Sequence, residues 1–436
     1  MTIHMHLLLS TAVALFAGLM MTRLFKILKL NLPDVTAFLI AGVLVGPFAL
    51  GRLGIPGLGF PDMESIDSVS FLSNCALGFI AFDIGNEFRL GQLKHTGKTA
   101  TVIGIFQSVA ATLLVDIALI ALHEILGEER LPLTVAVTLG AIASATAPAA
   151  TLMVVRQYKA KGPVTDLLLP IVALDDAVGL VLFAVSFGVA QALQGGSVSV
   201  VSVVVNPLLE ILCSLILGSV MGVVLSYLEK LFFSNKNRLA LTIAFVLMTI
   251  ALAGLEVRFG ELRIGFSSLL VCMMLGTVFC NMSEYSVDIM KRSEQWTSPL
   301  YTVFFVLSGA QLELTVFRSL SVVLIGVVYI LVRCLGKYYG AHISAGVMKC
   351  APVARKYLGI TLFPQAGVAL GMVVSAQALG GTAASMIRNI ILFSVLVYEL
   401  VGPLLTKMSL EKAGEIAKPG SDEEHRARFA KKQKAR

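Results

Sequence analysis

Charged residues are scarce in this chain. They make up 14% of its 436 residues, and no polar stretch is long enough to form a separate soluble domain. Soluble globular proteins carry about 25% charged residues, so a soluble domain of this size is excluded. The six cysteines show neither a CxxC motif nor a Cys/His spacing, which indicates neither a disulfide framework nor a structural metal site. We expect no cofactor.

Long apolar runs dominate the sequence instead. Apolar residues reach 57%, and the mean hydropathy is +0.86. A run of about 20 apolar residues crosses the ~30 Å hydrocarbon core of a bilayer as a helix, so we predict an all-α polytopic membrane protein. Its membrane domain covers 1–408, and a short basic cytoplasmic tail covers 409–436. The thirteen predicted spans are 6–24, 34–50, 66–83, 99–122, 132–153, 165–190, 200–227, 239–256, 264–281, 299–312, 319–341, 357–378 and 388–408.

Lysine and arginine alternate between the loops. The loops after the odd-numbered spans are the basic ones, and basic residues mark the cytoplasmic side. We therefore predict an external N-terminus and a cytoplasmic C-terminus in the plasma membrane. This topology explains the net charge of +7, so we expect a lipid bilayer and no nucleic acid as partner. The basic loops contain Arg23, Lys26 and Lys29; Arg89, Lys94 and Lys98; Arg156, Lys159 and Lys161; Lys230, Lys236 and Arg238; Lys291 and Arg292; and Lys349, Arg355 and Lys356.

Two adjacent aspartates, Asp175 and Asp176, lie near the middle of the apolar run 167–190. An ionised carboxylate is costly at this depth unless it faces a wet cavity or a partner, and such residues usually mark an ion or proton pathway. A consecutive pair at mid-depth is rarely only structural. We predict that the two aspartates form the functional site, as ligands for a monovalent cation or a proton.

The two halves of the chain resemble each other. Span three ends in FIAFDIGNE at 79–87, and span ten ends in FFVLSGAQLE at 304–313; span five contains TAPA at 146–149, and span twelve contains FPQAG at 363–367. Both similarities are seven spans apart. Because an odd offset reverses direction through the membrane, we predict inverted repeats, which often form a transport site at the midplane.

Proline interrupts one span in each half. Pro148 and Pro364 each remove a backbone donor and free a carbonyl one turn earlier. Irregular backbone at membrane depth occurs where it lines a cavity or is buried in protein. We therefore predict that spans five and twelve are broken near Thr146, Ala147 and Gln365, although simple kinks remain an alternative for either proline.

Arg333 and Lys337 are the candidate counter-charges for the aspartates. Both lie in span eleven, one helical turn apart. We favour Arg333 as the partner of Asp175 because arginine keeps its charge in proteins, and we expect Lys337 to snorkel to the headgroups or to replace Arg333. Counting ~1.5 Å per residue from the cytoplasmic ends of the spans, the depths are roughly 15 Å for Asp176, 12 Å for Gln365 and Arg333, and 10 Å for Thr146.

Two further acids lie inside predicted spans. Glu399 in span thirteen is near the depth of the site, and either a role in its polar network or an ordinary interhelical hydrogen bond accounts for it. Asp116 in span four belongs to the outer third of the membrane, and we interpret it as structural.

Several segments together resemble the monovalent cation/proton antiporters, and especially the branch of bacterial sodium/proton and potassium/proton antiporters. They are LP at 32–33, AGVLVGP at 41–47, GNEF at 85–88, TAP at 146–148, ALDD at 173–176 and RCLGK at 333–337. The resemblance implies a homodimer built from a dimerisation panel and a mobile core, in which two broken helices cross beside the carboxylates. It also implies that Asp176 binds the cation or proton and that Asp175 pairs with the basic residue of span eleven. The paired aspartates imply electrogenic transport.

The resulting hypothesis is exchange of a cation, Na⁺ before K⁺ or Li⁺, for protons by alternating access. When ionised, Asp176 coordinates the cation together with Thr146 and carbonyls of the broken helix. Glycines such as Gly42, Gly46 and Gly276 permit close helix approach in the panel. The chain is then a transporter and not an enzyme. The alternatives are a sodium-coupled carrier of organic anions of the bile-acid type, and a membrane sensor or channel.

Overall fold

The computed structural model describes residues 3–28, 30, 32–55, 57–86, 90–193, 205–255, 257–259, 262–312 and 320–416. The helices in this part of the chain are α1 (Ile3–Ile27), α2 (Asp34–Val45), α3 (Met63–Asp67), α4 (Ser70–Asn86), α5 (Leu90–Leu126), α6 (Leu133–Ile142), α7 (Pro148–Gln157), α8 (Pro163–Leu193), α9 (Asn206–Leu228), α10 (Asn235–Ala253), α11 (Ser268–Met282), α12 (Ser286–Ala310), α13 (Leu320–Val347), α14 (Pro352–Thr361), α15 (Gly367–Ala376) and α16 (Gly381–Lys412). Two short strands, β1 (Val257–Phe259) and β2 (Leu262–Ile264), form an antiparallel hairpin between α10 and α11.

The all-helical membrane fold is confirmed. Eight of the described helices are long and apolar enough to cross a bilayer, and the remaining predicted spans correspond to α4, α11, α12 and the two pairs α6/α7 and α14/α15. Span ten is longer than predicted, because α12 begins at Ser286 and continues through Pro299. The tail 417–436 lies outside the described residues, and α16 continues to Lys412.

Spans five and twelve are both broken. α6 ends at Ile142 and α7 begins at Pro148, where the missing proline N–H costs nothing because the first helical position has no intrahelical acceptor. α14 ends at Thr361, and α15 begins after Pro364. The two extended segments cross, and the Ala147 N–H donates to the Pro364 carbonyl over 2.8 Å.

The helices form two groups. In the first, which we call the panel, α1, α2, α4 and α9–α12 pack chiefly on one another; in the second, the core, α5–α8 and α13–α16 do so. Contacts between the groups are fewer. They involve mainly α2 with α7 and α16, α4 with α7, and α8 with α9.

Glycines bring the helices of the panel into backbone contact. A Cβ atom added at Gly42 would lie 2.1 Å from the Val306 carbonyl oxygen, and one at Gly276 would lie 2.2 Å from the Phe82 carbonyl oxygen. Gly46 approaches Ala310 in the same way, at 3.1 Å. The prediction that these three glycines permit close approach is confirmed.

One buried ion pair joins the panel to the core. Asp83 on α4 accepts a hydrogen bond from Arg156 on α7, with 2.6 Å between Nη1 and Oδ2, and another from the Tyr301 hydroxyl on α12. The Asp83 side chain is fully buried, and its Oδ1 atom has no partner among the described residues.

The segment that follows α16 caps the first turn of α8. The Glu415 carboxylate accepts hydrogen bonds from the Val164 and Thr165 N–H groups at 2.6 and 2.9 Å. It thereby satisfies donors that the first turn of a helix leaves without intrahelical partners, and its charge complements the positive end of the helix dipole. Glu415 fixes the start of the helix that carries Asp175.

Gly42→Ala should destabilise the protein, because the added methyl group meets a backbone oxygen that cannot rotate away. We expect a loss of about 1–3 kcal/mol, the usual cost of overpacking, measured as a lower midpoint of thermal unfolding in detergent. Gly371→Ala in α15 is the control, since a Cβ there meets nothing within 4 Å. Equal midpoints for the two variants would contradict the close approach of α2 and α12.

Candidate functional site at the helix crossing

Asp175 is fully buried in α8, and its carboxylate accepts four hydrogen bonds from the described residues. Lys337 and Thr146 donate to Oδ2 over 3.0 and 2.5 Å. Ser108 donates to Oδ1 over 2.8 Å, and Gln107 donates to the same atom. The carboxylate is therefore an acceptor on both oxygens, and helices α5, α8 and α13 meet the crossing at this one group.

Lys337 is the ion-pair partner of Asp175. Its side chain is fully buried, and its ammonium also donates to the Ser144 carbonyl over 2.6 Å and to the Thr146 hydroxyl over 2.9 Å. The expectation that Lys337 snorkels to the headgroups is wrong. The compact ammonium fits here because its donors radiate from a single atom, and three acceptors surround that atom.

Arg333 does not pair with Asp175, so the preference for Arg333 is wrong. Its guanidinium instead donates to three carbonyls of the extended segments, at 2.9 Å to Ala143, 2.5 Å to Ala145 and 2.7 Å to Phe363. The planar fork of arginine spreads its donors over a wide arc, which matches acceptors that come from two chain segments. The guanidinium also lies 4.6 Å from the centroid of the Tyr398 ring.

Gln365 bonds across the crossing. Its amide donates to the Ile142 carbonyl over 2.9 Å and contacts the Tyr329 hydroxyl. With Arg333 and Lys337, it supplies partners for four consecutive carbonyls that the break in span five releases, at residues 142–145. The extended segments are thus held in place by side chains of α13 and by Gln365, which reaches from one extended segment to the other.

The sequence also singled out three other intramembrane acids, namely Asp176, Glu399 and Asp116. Asp176 follows Asp175 in α8, and its side chain lies outside the described part of the structure. Glu399 lines a cavity on the panel side of the crossing, to which Ala147 and Pro148 also contribute. Asp116 lies against Gly140 of α6, and its Oδ1 atom is enclosed without a partner among the described residues.

Sequence reasoning missed Gln107 and Ser108 as partners of Asp175. The available signal was a polar pair inside the apolar stretch of span four. The Asp83, Arg156 and Tyr301 cluster was missed as well, since Asp83 was read only as part of a repeat and Arg156 only as a loop charge.

The fold and the site define a multi-pass membrane transporter with two crossed broken helices, and the comparisons agree. The family described as the sodium/hydrogen exchanger, transmembrane, matches residues 11–412. The chain belongs to this family, which consists of cation/proton antiporters. The fold is similar to that of the solved sodium proton antiporter MjNhaP1 from Methanocaldococcus jannaschii. This structural match covers 95% of the present chain and 97% of MjNhaP1, with a TM-score of 0.63 and 18% identity.

Two curated antiporters are similar along most of the chain. The K⁺/H⁺ antiporter subunit KhtU of Bacillus subtilis is 22% identical over 382 residues, which cover 87% of this chain and 88% of KhtU. The high-affinity Na⁺/H⁺ antiporter NhaS3 of Synechocystis is 22% identical over 422 residues, which cover 90% of this chain and 87% of NhaS3.

Removing Lys337 should leave Asp175 buried without a cation. For Lys337→Met we expect a loss of about 3–5 kcal/mol in unfolding free energy, the usual cost of breaking a buried pair from one side. The double variant with Asp175→Asn should recover much of this loss. A matched cycle of Arg333→Met with Asp175→Asn should show a much smaller coupling energy, and the reverse order would contradict the pairing.

Proposed function

We propose that this protein exchanges a monovalent cation for protons across the membrane, with Asp175 and Asp176 as the exchanging carboxylates. The observation that carries this proposal is the fully buried Asp175–Lys337 pair, held at 3.0 Å beside two crossed broken helices. A buried carboxylate that can exchange one positive partner for another suits competition between cation and proton.

Lys337 gives the site a proton that it can release. Lysine, unlike arginine, changes its protonation readily when it is buried. A cation that binds the aspartates replaces the attraction of the ammonium, and Thr146 and the Ser144 carbonyl then supply oxygen ligands next to it. In the proton-loaded state the ammonium again neutralises Asp175 and a proton neutralises Asp176, whereas the cation-loaded state holds one cation at two carboxylates beside a neutral lysine. The two states therefore differ by one charge.

The preferred cation and the charge moved per cycle are further parts of the proposal. One relative is described as a K⁺/H⁺ and another as a Na⁺/H⁺ antiporter, so both ions must be tested; we propose Na⁺ as the main substrate, with K⁺ and Li⁺ as alternatives. With two carboxylates and one lysine, the exchange is proposed to be electrogenic and to proceed by alternating access of the core against the panel.

The assembly and orientation are part of the proposal. We propose a homodimer in the plasma membrane, with the N-terminus outside and the C-terminus in the cytoplasm. Two hydrogen bonds support a common side for the basic loops after spans one and five and for the segment that follows α16. Gln157 at the end of α7 accepts from Asp34 N–H over 2.9 Å, and Lys161 N–H donates to Glu415 over 3.1 Å.

The test is proton movement in proteoliposomes that contain an internal pH dye, driven by gradients of Na⁺, K⁺ or Li⁺. Wild type should acidify or alkalinise the lumen in response to at least one ion. Asp175→Asn and Asp176→Asn should each reduce the rate at least about 100-fold, the usual lower limit for a proton-transfer group. Asp116→Asn, an intramembrane acid away from the crossing, should retain transport.

The same vesicles test whether exchange is electrogenic, through the effect of the membrane potential on the exchange rate. Clamping the membrane potential to zero with an ionophore should speed exchange, because net charge no longer builds up. Sodium-dependent uptake of a labelled bile acid by folded protein, without proton movement for any of the three ions, would contradict antiport and indicate the organic-anion carrier.

A further inference from the structure

A cavity of about 210 Å³ lies between the panel and the core at the helix crossing. Ala147, Pro148 and Ala366 line it from the two broken spans, Phe304 and Phe305 line it from α12, and Glu399 lines it from α16. Ala147 in the cavity wall directly follows Thr146, the residue that donates to Asp175.

Glu399 differs from the other buried acids of the transmembrane region. Its residue surface is 7% exposed, and within the described part of the chain it has neither a hydrogen-bond nor an ion-pair partner. Asp175 and Asp83 have basic partners, and Glu229 accepts from Ser283 over 2.6 Å. The ordinary interhelical hydrogen bond, one of the two roles considered for Glu399 from the sequence, is absent from the described residues.

No charged group faces Glu399 from the described walls of the cavity, where Ser268 is the other polar side chain. The elements packed against α16 are α2, α6, α7, α13, α14 and α15. Of these, α6 and α15 carry no charged residue. The buried bases of the others are engaged elsewhere: Arg156 with Asp83, Lys337 with Asp175, and Arg333 with the carbonyls of the crossing.

The charges at the ends of these helices complete the inventory. Asp34 is the first residue of α2, and Arg355 and Lys356 lie in the first half of α14. On α16 itself, Arg388 lies eleven residues before Glu399, Lys407 pairs with Glu411 at 3.7 Å, and Lys412 is the last residue. None of these residues lines the cavity. Among the described residues, none balances an ionised Glu399, so its charge depends on what enters the cavity.

A carboxylate in this position needs a proton or a mobile cation. An unpaired charge inside a membrane is expensive, so the neutral acid is stable when the cavity is dry. The first turns of α7 and α15 also reach the cavity through Pro148 and Val368. Because helix N-termini carry partial positive charge, they lower the cost of the ionised form and bring the two forms closer in free energy.

We propose that Glu399 is a second exchange site, which holds a proton when the cavity is empty and releases it when a monovalent cation enters from the panel side. This inference rests on the proposed function in one respect, namely that the cavity is on the transport route. The cation occupies the cavity beside the carboxylate before it reaches the aspartates beyond Thr146. The released proton leaves to the same side, so this step moves no net charge across the membrane.

The first test compares Glu399→Gln with wild type and with Asp116→Asn in the proteoliposome assay, over a series of pH values and cation concentrations. Glu399→Gln should still transport, but with at least about tenfold weaker apparent cation affinity, because a unit charge next to the ion contributes at least this much at an effective dielectric constant of about 20. Its pH profile should lose one ionisation. Asp116→Asn should keep the wild-type affinity and profile.

A second measurement does not depend on transport. Dicyclohexylcarbodiimide reacts with protonated carboxyl groups in apolar surroundings, and mass spectrometry of the peptide that contains Glu399 reports the modification. We expect labelling of wild type that Na⁺ or K⁺ suppresses and that Glu399→Gln abolishes.

The two measurements separate the inference from the proposed function. Cation-suppressed labelling in a protein that moves no protons would keep the exchange site and reject the antiport. An active Glu399→Gln variant with wild-type affinity and pH profile, together with labelling that cations do not suppress, would overturn the inference.

Discussion

The structure depends on two basic side chains of α13 that donate hydrogen bonds to backbone carbonyls of the broken span five. Breaking span five frees consecutive carbonyls at membrane depth, where an unsatisfied polar group costs several kcal/mol. Arg333 and Lys337, one turn apart on α13, donate to three of these carbonyls, and Lys337 also neutralises Asp175. The break, the carboxylate and the basic helix are therefore interdependent. An acid at this position requires the lysine, and the extended segment requires both bases.

Most of the fold could be predicted from the sequence because membrane spans have a strong, local signal. Apolar length gives the spans, proline gives the breaks at 148 and 364, and the repeat offset gives the inverted relation between them. The pairing inside the site could not be predicted in the same way. Arg333 and Lys337 differ by one turn, about 5.4 Å along a helix, and the choice between them depends on which acceptors face which donor. That information is three-dimensional, and it also explains why Gln107 and Ser108 were missed.

Asp116 and Glu399, two intramembrane acids for which the described residues provide no ion-pair partner, show how environment separates similar residues. Asp116 and Glu399 are both single acids in long apolar helices, and sequence reasoning distinguished them only by depth. In the structure, the Asp116 Oδ1 atom is enclosed against α6, whereas Glu399 lines a cavity between the panel and the core. The enclosed Oδ1 atom of Asp116 leaves no room for an ion against α6, whereas a carboxylate on a cavity wall has that room. Access to the cavity, more than burial, sets Glu399 apart.

The ion pair between Asp83 and Arg156 limits any motion of the core relative to the panel. Any motion that separates α7 from α4 leaves the fully buried Asp83 without its cation, at a cost of about 3–5 kcal/mol. Arg156 lies eight residues after Pro148, so the ion pair is roughly 12 Å along α7 from the crossing. A rotation of the core about this ion pair preserves the pair and displaces the crossing, whereas a translation of the whole core breaks the pair. If alternating access operates as proposed, this geometry favours a pivot near Asp83 and the largest displacement at the crossing, where the cavity and Asp175 lie.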